Sequence, residues 1–257
     1  MADNRLRSIR LEDLTWPEIG SAIAAGITSV IVPVGSTEQH GPHLPLAADS
    51  LHTVAMLEGV ARRLPALLAP LLPVGCSDHH LAFPGTLSVS RETLGHLVGD
   101  CCRCLARHGF RHILIYSGHG GNAEPLASIV DDLNRQLGST RVIGCTDWSV
   151  YEETLLGHAA RRGIDQTVAG GHSGELEASM ILAIRPELVL MEHAAPGYLG
   201  DPATIRPRIF SEGIQAISPS GVLGDPRPAD TERGNEYLAV MIDRLTQFFQ
   251  DAIGSGA

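Results

Sequence analysis

The sequence contains no lysine, so all 19 residues counted as lysine or arginine are arginines. This absence excludes mechanisms that need a lysine amine: a Schiff base, a Ser–Lys dyad and the lysine of a Walker-type phosphate loop. The formal net charge is −10. Nucleic acids and anionic membranes select basic surfaces, so we expect neither as a partner.

Long apolar runs are also missing. No stretch approaches the ~18 apolar residues of a membrane span, and MADNRLRSIRLEDLTW lacks the apolar centre of a signal peptide. The five cysteines are an odd number, with three in CCRC at 101–104, which is not typical of a disulfide framework. No second pair with zinc-ligand spacing accompanies Cys101 and Cys104, so we interpret them as small apolar helix residues. These features indicate a cytoplasmic protein.

Short β-branched runs alternate with longer helical patterns along the chain. The runs predict buried strands at 29–34, 112–117 and 141–146, and a proline-interrupted edge strand at 69–75. Helices are predicted at about 50–64, 91–108, 123–137, 174–185 and 231–252, with N-caps at Asp49, Ser90, Asn122 and Ser173. The fold class is therefore α/β, a three-layer αβα sandwich around a mostly parallel sheet. We expect residues 1–257 to form a single domain, in which the Pro/Gly-rich stretch 196–228 is a long surface excursion.

Ionisable side chains crowd the segment that follows the first predicted strand. In GSTEQHGPHLPLAADS, Glu38 and His40 are two residues apart and would emerge on one side of an extended chain, and Asp49 precedes a predicted helix. His119 follows another strand in the glycine-rich turn SGHGGN, where the backbone can approach an ion closely. Ligands of open parallel sheets gather beyond the carboxyl ends of the strands, so these four residues predict one site. Their mixture of carboxylates and imidazoles suits zinc, manganese or iron(II).

The glycine-rich turn also permits a different interpretation. A loop of this kind at a helix N-terminus can bind an anion, which would make the chain a binding or regulatory module rather than an enzyme. However, the spacing is not G-x-G-x-x-G, and no GK[ST] follows. A serine hydrolase is disfavoured because no G-x-S-x-G elbow is present.

A third group of ionisable residues lies in GGHSGELEASM. His172 precedes a predicted helix whose first turns carry Glu175 and Glu177. The two glutamates are about 200° apart on the helix, so they cannot both face one ion. Taken alone, they are typical of acidic residues that interact favourably with a helix dipole.

Four segments together resemble the signature segments of the creatininase (creatinine amidohydrolase) family: GSTEQHGPHLPLAAD, HHLAFPGTLS, SGHGGN and HSGELEASM. They occur in the family's order and span about residues 28–190. The resemblance implies an α/β fold with helices on both faces of a parallel sheet, assembled as a homohexamer. It also implies two divalent metal ions per chain, Zn²⁺ and/or Mn²⁺ with Fe²⁺ as an option, that activate a water to hydrolyse a non-peptide amide or related C–N bond.

The resemblance further implies roles for individual residues. The family's metal ligands match Glu38, His40, Asp49 and His119, with Asp49 as the bridging ligand. The family's general acid/base histidine matches His172.

One position departs from the family pattern. Relatives that hydrolyse creatinine carry a ligand glutamate where this chain has Gly121. Glu177 is the candidate to replace that ligand. Glu175 is the reserve ligand and a second candidate for a catalytic role.

The resemblance predicts a metal-dependent amidohydrolase that acts on a small-molecule, non-peptide amide, either open-chain or cyclic. Two other family activities stay open: a mycofactocin-precursor peptidase, which also resembles this chain in the tail GVLGDP, and a formamidopyrimidine deformylase. Trp148 and Tyr151, in CTDWSVYEE, could form a wall of the substrate pocket or pack in the core.

Overall fold

The computed structural model describes residues 6–255. Its strands form one parallel sheet in the order β2-β1-β3-β4, where β1 is Ser29–Val34, β2 is Ala66–Leu68, β3 is His112–Ser117 and β4 is Arg141–Cys145. The α-helices of the described residues are α1 Trp16–Ala24, α2 Ala48–Arg63, α3 Arg91–Arg107, α4 Ala123–Gln136, α5 Trp148–Arg161, α6 Gln166–Ala169, α7 Glu175–Ile184, α8 Pro202–Glu212 and α9 Thr231–Gly254.

Helices cover both faces of the sheet. Alternate strand residues point to opposite faces, and apolar side chains on each face pack against a different set of helices. Ile31 and Leu114 face one core, shared with α2, α5, α7 and α9. Val30 and Ile113 face the other core, shared with α3 and α4 and joined by partly buried residues of α1. The predicted three-layer αβα sandwich is thereby confirmed.

Two strand predictions are confirmed to the residue, at 29–34 and 112–117, and the third strand ends one residue early, at Cys145. The strand predicted at 69–75 is wrong. The edge strand is Ala66–Leu68, and the residues after it make only isolated bridges such as Val34 with Leu72. The prolines of this stretch explain the error, since a proline has no N–H to donate to a ladder.

The helix starts were predicted with mixed success. Ser90 caps α3, and its Oγ accepts a hydrogen bond from the Thr93 amide at 3.2 Å. The prediction that Ser173 caps α7 is wrong, because Gly174 occupies the N-cap position of that helix. A Cβ on Gly174 would overlap the carbonyl oxygen of Ala169, so only glycine fits where the chain turns into this helix.

The stretch 196–228 is not simply a surface excursion. It contains α8, whose Ile205 and Ile209 are buried against Ile214 and Leu223. Pro207, within the helix, obscures the helical pattern because proline is rare in helix interiors. The prediction also omitted α1 and α5.

The strand order places a crevice where β1 and β3 leave the sheet. These strands are adjacent, and their last residues, Val34 and Ser117, are partners in register. From β1 the chain proceeds to β2 on one side, whereas β3 lies on the other, and such a change of direction is where open α/β sheets bind ligands. The segments that carry Glu38 and His119 therefore start side by side.

Among the described residues, no helix has the length and hydrophobicity needed to cross a membrane. The single domain over 1–257 stays a prediction, and its ends, residues 1–5 and 256–257, lie outside the described residues.

Candidate metal centre

The four ligand candidates predicted at the strand ends lie together and are buried. Asp49 Oδ1 is 3.2 Å from His40 Nε2, and Asp49 Oδ2 is 3.2 Å from His119 Nδ1. Glu38 Oε2 lies 3.3 Å from the same His119 nitrogen. Glu177 joins them from α7, with its Oε2 3.8 Å from His40 Nε2. Residues far apart in the chain thus bring their ligand atoms to one place.

These side chains form two groups that share Asp49. One group is Glu38, Asp49 and His119, the other is His40, Asp49 and Glu177, and within each group the ligand atoms lie within 4.8 Å of one another. Glu38, His40 and His172 also meet that distance. The shared carboxylate, facing one group with each oxygen, is the arrangement expected of a bridging ligand between two cations.

The hydrogen bonds of the two imidazoles leave the correct nitrogen free for a metal. His119 Nε2 is 3.0 Å from the Cys76 carbonyl oxygen, and His40 Nδ1 is 3.1 Å from the Glu38 carbonyl oxygen. If each of these nitrogens donates its proton to the carbonyl, His119 Nδ1 and His40 Nε2 carry lone pairs that point toward Asp49. A metal-ligating histidine typically donates its second N–H in this way.

The buried carboxylate of Asp49 has one unsatisfied oxygen. Oδ1 accepts a hydrogen bond from His52 Nε2 at 3.3 Å and lies 3.2 Å from His40 Nε2, whereas Oδ2 has no hydrogen-bond partner despite being buried. An unpaired buried oxygen is costly unless something else satisfies it. A divalent cation between Oδ2, Glu38 and His119 would do so, and the oxygen and nitrogen donors suit Zn²⁺, Mn²⁺ or Fe²⁺.

Electrostatics keep the two acids ionised. Burial acts to raise the pKa of Glu38, but nearby His119 and His80 outweigh it and leave that pKa below its usual range. Asp49 behaves likewise, with His40 and His119 lowering its pKa. Burial acts to lower the pKa of both partner histidines, but the carboxylates raise that of His40 to about 10 and that of His119 well above its ordinary value. In the metal-free protein the carboxylates therefore keep protons on the two imidazoles, and a bound cation would take the place of those protons.

Asp49 does not cap α2 as predicted. The helix begins at Ala48, with Ala47 at the N-cap, so Asp49 lies in the first turn. Its carboxylate turns toward the imidazoles rather than toward the amides of its own helix.

Asn122 fixes the loops around the centre. It occupies the predicted N-cap position of α4, but its side chain caps no helix amide. Its Nδ2 donates to the Gly35 carbonyl oxygen at 3.0 Å and to Ser117 Oγ at 3.1 Å, and its Oδ1 accepts from the Cys76 amide at 2.9 Å. One amide therefore joins the exits of β1 and β3 to the loop that precedes α3. The sequence indicated the position of Asn122 but not this function.

Gly121 leaves no space for the glutamate that the family pattern would place there. A Cβ at this position would overlap the Cys76 carbonyl oxygen and His119 Nε2. Glu177 instead reaches the centre from α7, and its Oε2 accepts a hydrogen bond from the Ser173 amide at 2.6 Å. Ser173 has a positive φ of 57°, which strains a residue that is not glycine.

Glu175 is directed away from the centre. Its Oε1 accepts hydrogen bonds from Arg233 Nε at 2.7 Å and Ser179 Oγ at 2.8 Å, and its Oε2 accepts one from the Tyr237 hydroxyl at 2.9 Å. It is fully buried and does not line the cavity at the centre. This placement does not fit the expected catalytic or reserve-ligand role, and it suits an anchor between α7 and α9.

His172 lies next to the centre. Its ring centroid is 4.3 Å from that of His40, and its Nδ1 is 3.8 Å from Glu38 Oε1. Its backbone pairs with Leu223 in an antiparallel bridge, so the GVLGDP tail holds it in place. Burial and the neighbouring His40 lower the pKa of His172, which favours the neutral imidazole needed for a general base.

Gln39 sets the proton positions of two histidines, and sequence reasoning missed it. Its Nε2 lies 2.8 Å from His80 Nδ1, 3.0 Å from His172 Nε2 and 3.3 Å from the Gly221 carbonyl oxygen. In one arrangement its two amide protons go to His80 and Gly221, and His172 Nε2 keeps its own proton. The proton of His172 Nε2 then goes to the Gln39 carbonyl oxygen at 2.8 Å, leaving His172 Nδ1 free to face Glu38.

His80 was also missed as a functional residue, although HHLAFPGTLS was recognised as a signature segment. With Nδ1 accepting from Gln39, its Nε2 donates toward Glu38 Oε1 at 3.3 Å. Ser36 Oγ donates to the other oxygen, Glu38 Oε2, at 3.0 Å. Glu38 is thus oriented from both sides.

A cavity of about 280 Å³ opens onto the centre. Its wall includes Trp148, which stacks on Tyr151 with ring centroids 4.4 Å apart. Arg206 and Phe210 of α8 also line it, so the segment expected to be a surface excursion contributes to the wall of the site. A cavity of this size suits a small molecule or one end of a larger one.

The sequence matches one known family over most of its length. Residues 12–249 match the creatininase family, described as creatinine amidohydrolase. The mycofactocin precursor peptide peptidase of Mycobacterium ulcerans (strain Agy99) is 35% identical over 240 residues, covering 89% of this chain and 83% of that protein. The creatinine amidohydrolase of Pseudomonas putida is 30% identical over 262 residues, covering 95% and 97%.

Solved structures show the same fold. A creatininase described as its Mn form has a TM-score of 0.82 at 27% identity, covering 96% of this chain and 99% of that one. A mutant creatininase described as Zn-Zn type has a TM-score of 0.82 at 28% identity, with the same coverage.

Proposed function

The chain belongs to the creatininase family of hydrolases, and on that premise we propose that it hydrolyses the C–N bond of a small amide at a centre of two divalent cations. The observation that carries this proposal is the placement of Asp49. Its two oxygens face two separate ligand groups, one containing Glu38 and His119 and the other His40 and Glu177. Zn²⁺, Mn²⁺ or Fe²⁺ would fit these donors.

When bound, such cations lower the pKa of a water toward ~7 and polarise the amide carbonyl. The side chains of this protein supply the rest. Glu38 and Asp49 compensate the charge of the cations, and His80 and Ser36 hold Glu38 in orientation. These side chains are themselves buried, which strengthens each of these interactions.

His172 is the proposed proton carrier. With Nε2 bonded to the Gln39 carbonyl oxygen, Nδ1 faces the centre as a base. It would take a proton from the attacking water and return it to the departing nitrogen of the amide. The neutral leaving group then departs without the cost of expelling an amide anion.

The anion-binding interpretation is disfavoured by charge. The glycine-rich turn lines the same cavity as Glu38 and Asp49, whose lowered pKa values keep them negative. These carboxylates would repel an anion from the loop.

A peptidase activity related to mycofactocin maturation is a second candidate. Gly121 and its crowded surroundings distinguish this chain from the creatinine-type ligand pattern, and the mycofactocin relative is 35% identical. A formamidopyrimidine deformylase is the remaining alternative from the sequence. Turnover of creatinine, of formylated aminopyrimidines and of short peptides by the Mn²⁺- or Zn²⁺-loaded protein would discriminate between these substrates.

Metal content tests the proposal itself. Elemental analysis of protein equilibrated with Mn²⁺ or Zn²⁺ should find two ions per chain, and Asp49→Ala and His119→Ala should lose both metal and turnover while staying folded. Retained turnover in either variant would contradict the ligand assignment. The homohexamer and the cytoplasmic location also belong to the proposal, and light scattering and cell fractionation would test them.

A further inference from the structure

A second, smaller chamber of about 80 Å³ adjoins the metal centre. It shares part of its wall with the main cavity, namely Trp148, Glu152, Gly171, His172 and Glu177. The chamber therefore opens beside the proposed proton carrier and one of the proposed ligands. A group attached to the reacting carbon of a substrate would be within its reach.

Part of the chamber wall is aliphatic. Leu155 and Leu176 are fully or almost fully buried, Ala169 is buried as well, and Leu156 is half-buried. These four residues come from α5, α6 and α7, so helices position the aliphatic part of the wall.

Charge at the chamber opposes an anionic occupant. Glu152 and Glu177 are the acidic residues of its wall, and the wall contains no arginine. Arg206, which pairs with Glu152, lies on the main cavity instead. A carboxylate or phosphate group would therefore find no arginine partner in the chamber.

The volume limits the size of an occupant. A water molecule takes about 30 Å³ in the liquid, so a chamber of about 80 Å³ holds roughly three atoms other than hydrogen. A branched three-carbon group fits, whereas a fused ring system does not.

Resting on the proposed function, we propose that this chamber is a specificity pocket for a small branched aliphatic group on the acyl side of the scissile amide. The substrate class is then an amide whose acyl group resembles isobutyryl or isovaleryl, with its carbonyl at the metal centre. The main cavity is left for the amine part.

Hydroxamates of graded size test this pocket without depending on turnover. Dissociation constants of aceto-, isobutyro-, isovalero- and 2-naphthohydroxamate would be measured by calorimetry on the Mn²⁺-loaded protein. Each buried CH₂ contributes about 0.8 kcal/mol, so isovalerohydroxamate should bind about 50-fold more tightly than acetohydroxamate. The naphthyl compound should lose this advantage.

Two substitutions at the half-buried Leu156 change the volume in opposite directions. Leu156→Trp fills the chamber, so isovalerohydroxamate should bind no more tightly than acetohydroxamate, whose own affinity should stay unchanged. Leu156→Ala enlarges it and should move the tightest binding toward the bulkier compound. Leu97→Ala, at a residue that is 45% exposed on α3, is the matched control and should change nothing.

The outcomes separate the two proposals. The specificity pocket alone would be overturned if acetohydroxamate binds normally but the dissociation constants do not change along the series. It would also be overturned if isovalerohydroxamate still binds more tightly than acetohydroxamate in Leu156→Trp. Failure of acetohydroxamate to bind together with absence of bound metal would overturn the proposed function, and the pocket's role in catalysis with it.

Discussion

Gly121 lies so close to His119 that a Cβ at residue 121 would overlap His119 Nε2. That nitrogen bonds the Cys76 carbonyl oxygen at 3.0 Å, which orients the opposite nitrogen, Nδ1, toward Glu38 and Asp49. A side chain at residue 121 would therefore disturb the position of His119, one of the proposed metal ligands.

Gly121→Ala should weaken metal binding. The added methyl group must displace His119 or the Cys76 carbonyl, and loss of such a supporting contact typically costs about 10–100-fold in metal affinity. Competition with a metal indicator would measure it. Gly20→Ala is the control, since a Cβ there meets no atom within 4 Å. Unchanged affinity in Gly121→Ala would refute the crowding argument.

His172→Gln should lower turnover by about 10²–10⁴-fold, the usual contribution of a positioned general base. Because His172 is assigned no ligand role, the variant should keep both ions, as elemental analysis would check. Loss of an ion would instead make His172 a ligand, as the grouping of Glu38, His40 and His172 permits.

Metal affinity should rise with pH between about 6.5 and 10. The pKa of His40 is raised to about 10 by Asp49 and Glu177 against the effect of burial, and that of His119 is raised as well. Each imidazole must lose a proton before it binds a cation. The apparent affinity then increases about tenfold per pH unit for each proton released.

The stability of the metal-free protein should change in the opposite direction. A histidine with a raised pKa in the folded state stabilises it fully below about 6.5, and this contribution is lost as the pH rises toward the folded-state value. The gap in Tm between metal-loaded and metal-free protein should therefore widen from pH 6.5 to pH 9. A constant gap would show that these imidazoles release no protons on binding.

Glu175→Gln should destabilise the fold without removing metal. It removes the charge that pairs with the part-buried Arg233 and weakens the contact with Tyr237, and because disruption of a fully buried ion pair costs about 3–5 kcal/mol, we expect a loss of at most that size. Denaturant unfolding would measure this loss. Glu212→Gln, in the exposed pair with Arg208, should cost at most about 1 kcal/mol. Loss of metal in a Glu175→Gln variant that remains folded would restore Glu175 as a ligand candidate.

The local sequence pattern was sufficient to predict β1, β3 and the four ionisable residues that lie beyond their ends. The β-branched runs that form β1 and β3 are buried on both faces, so their bounds were confirmed. Glu38, His40, Asp49 and His119 follow those strands, and parallel pairing brings them together.

Tertiary contacts decided what the sequence could not predict. The helical angle separates Glu175 from Glu177, but only the position of α7 beside His40 selects Glu177 for the centre. Gln39 lies between two recognised residues, and its role depends on His80 and His172, which come from distant loops. The part of the cavity wall formed by α8 was hidden because Pro207 interrupts its pattern.

Anomalous diffraction from crystals grown with Mn²⁺ tests the central claim most directly. We predict two peaks roughly 3.5–4 Å apart, one at each oxygen of the Asp49 carboxylate, the first next to Glu38 and His119 and the second next to His40 and Glu177. An absence of peaks, or a peak that does not contact Asp49, would contradict the account.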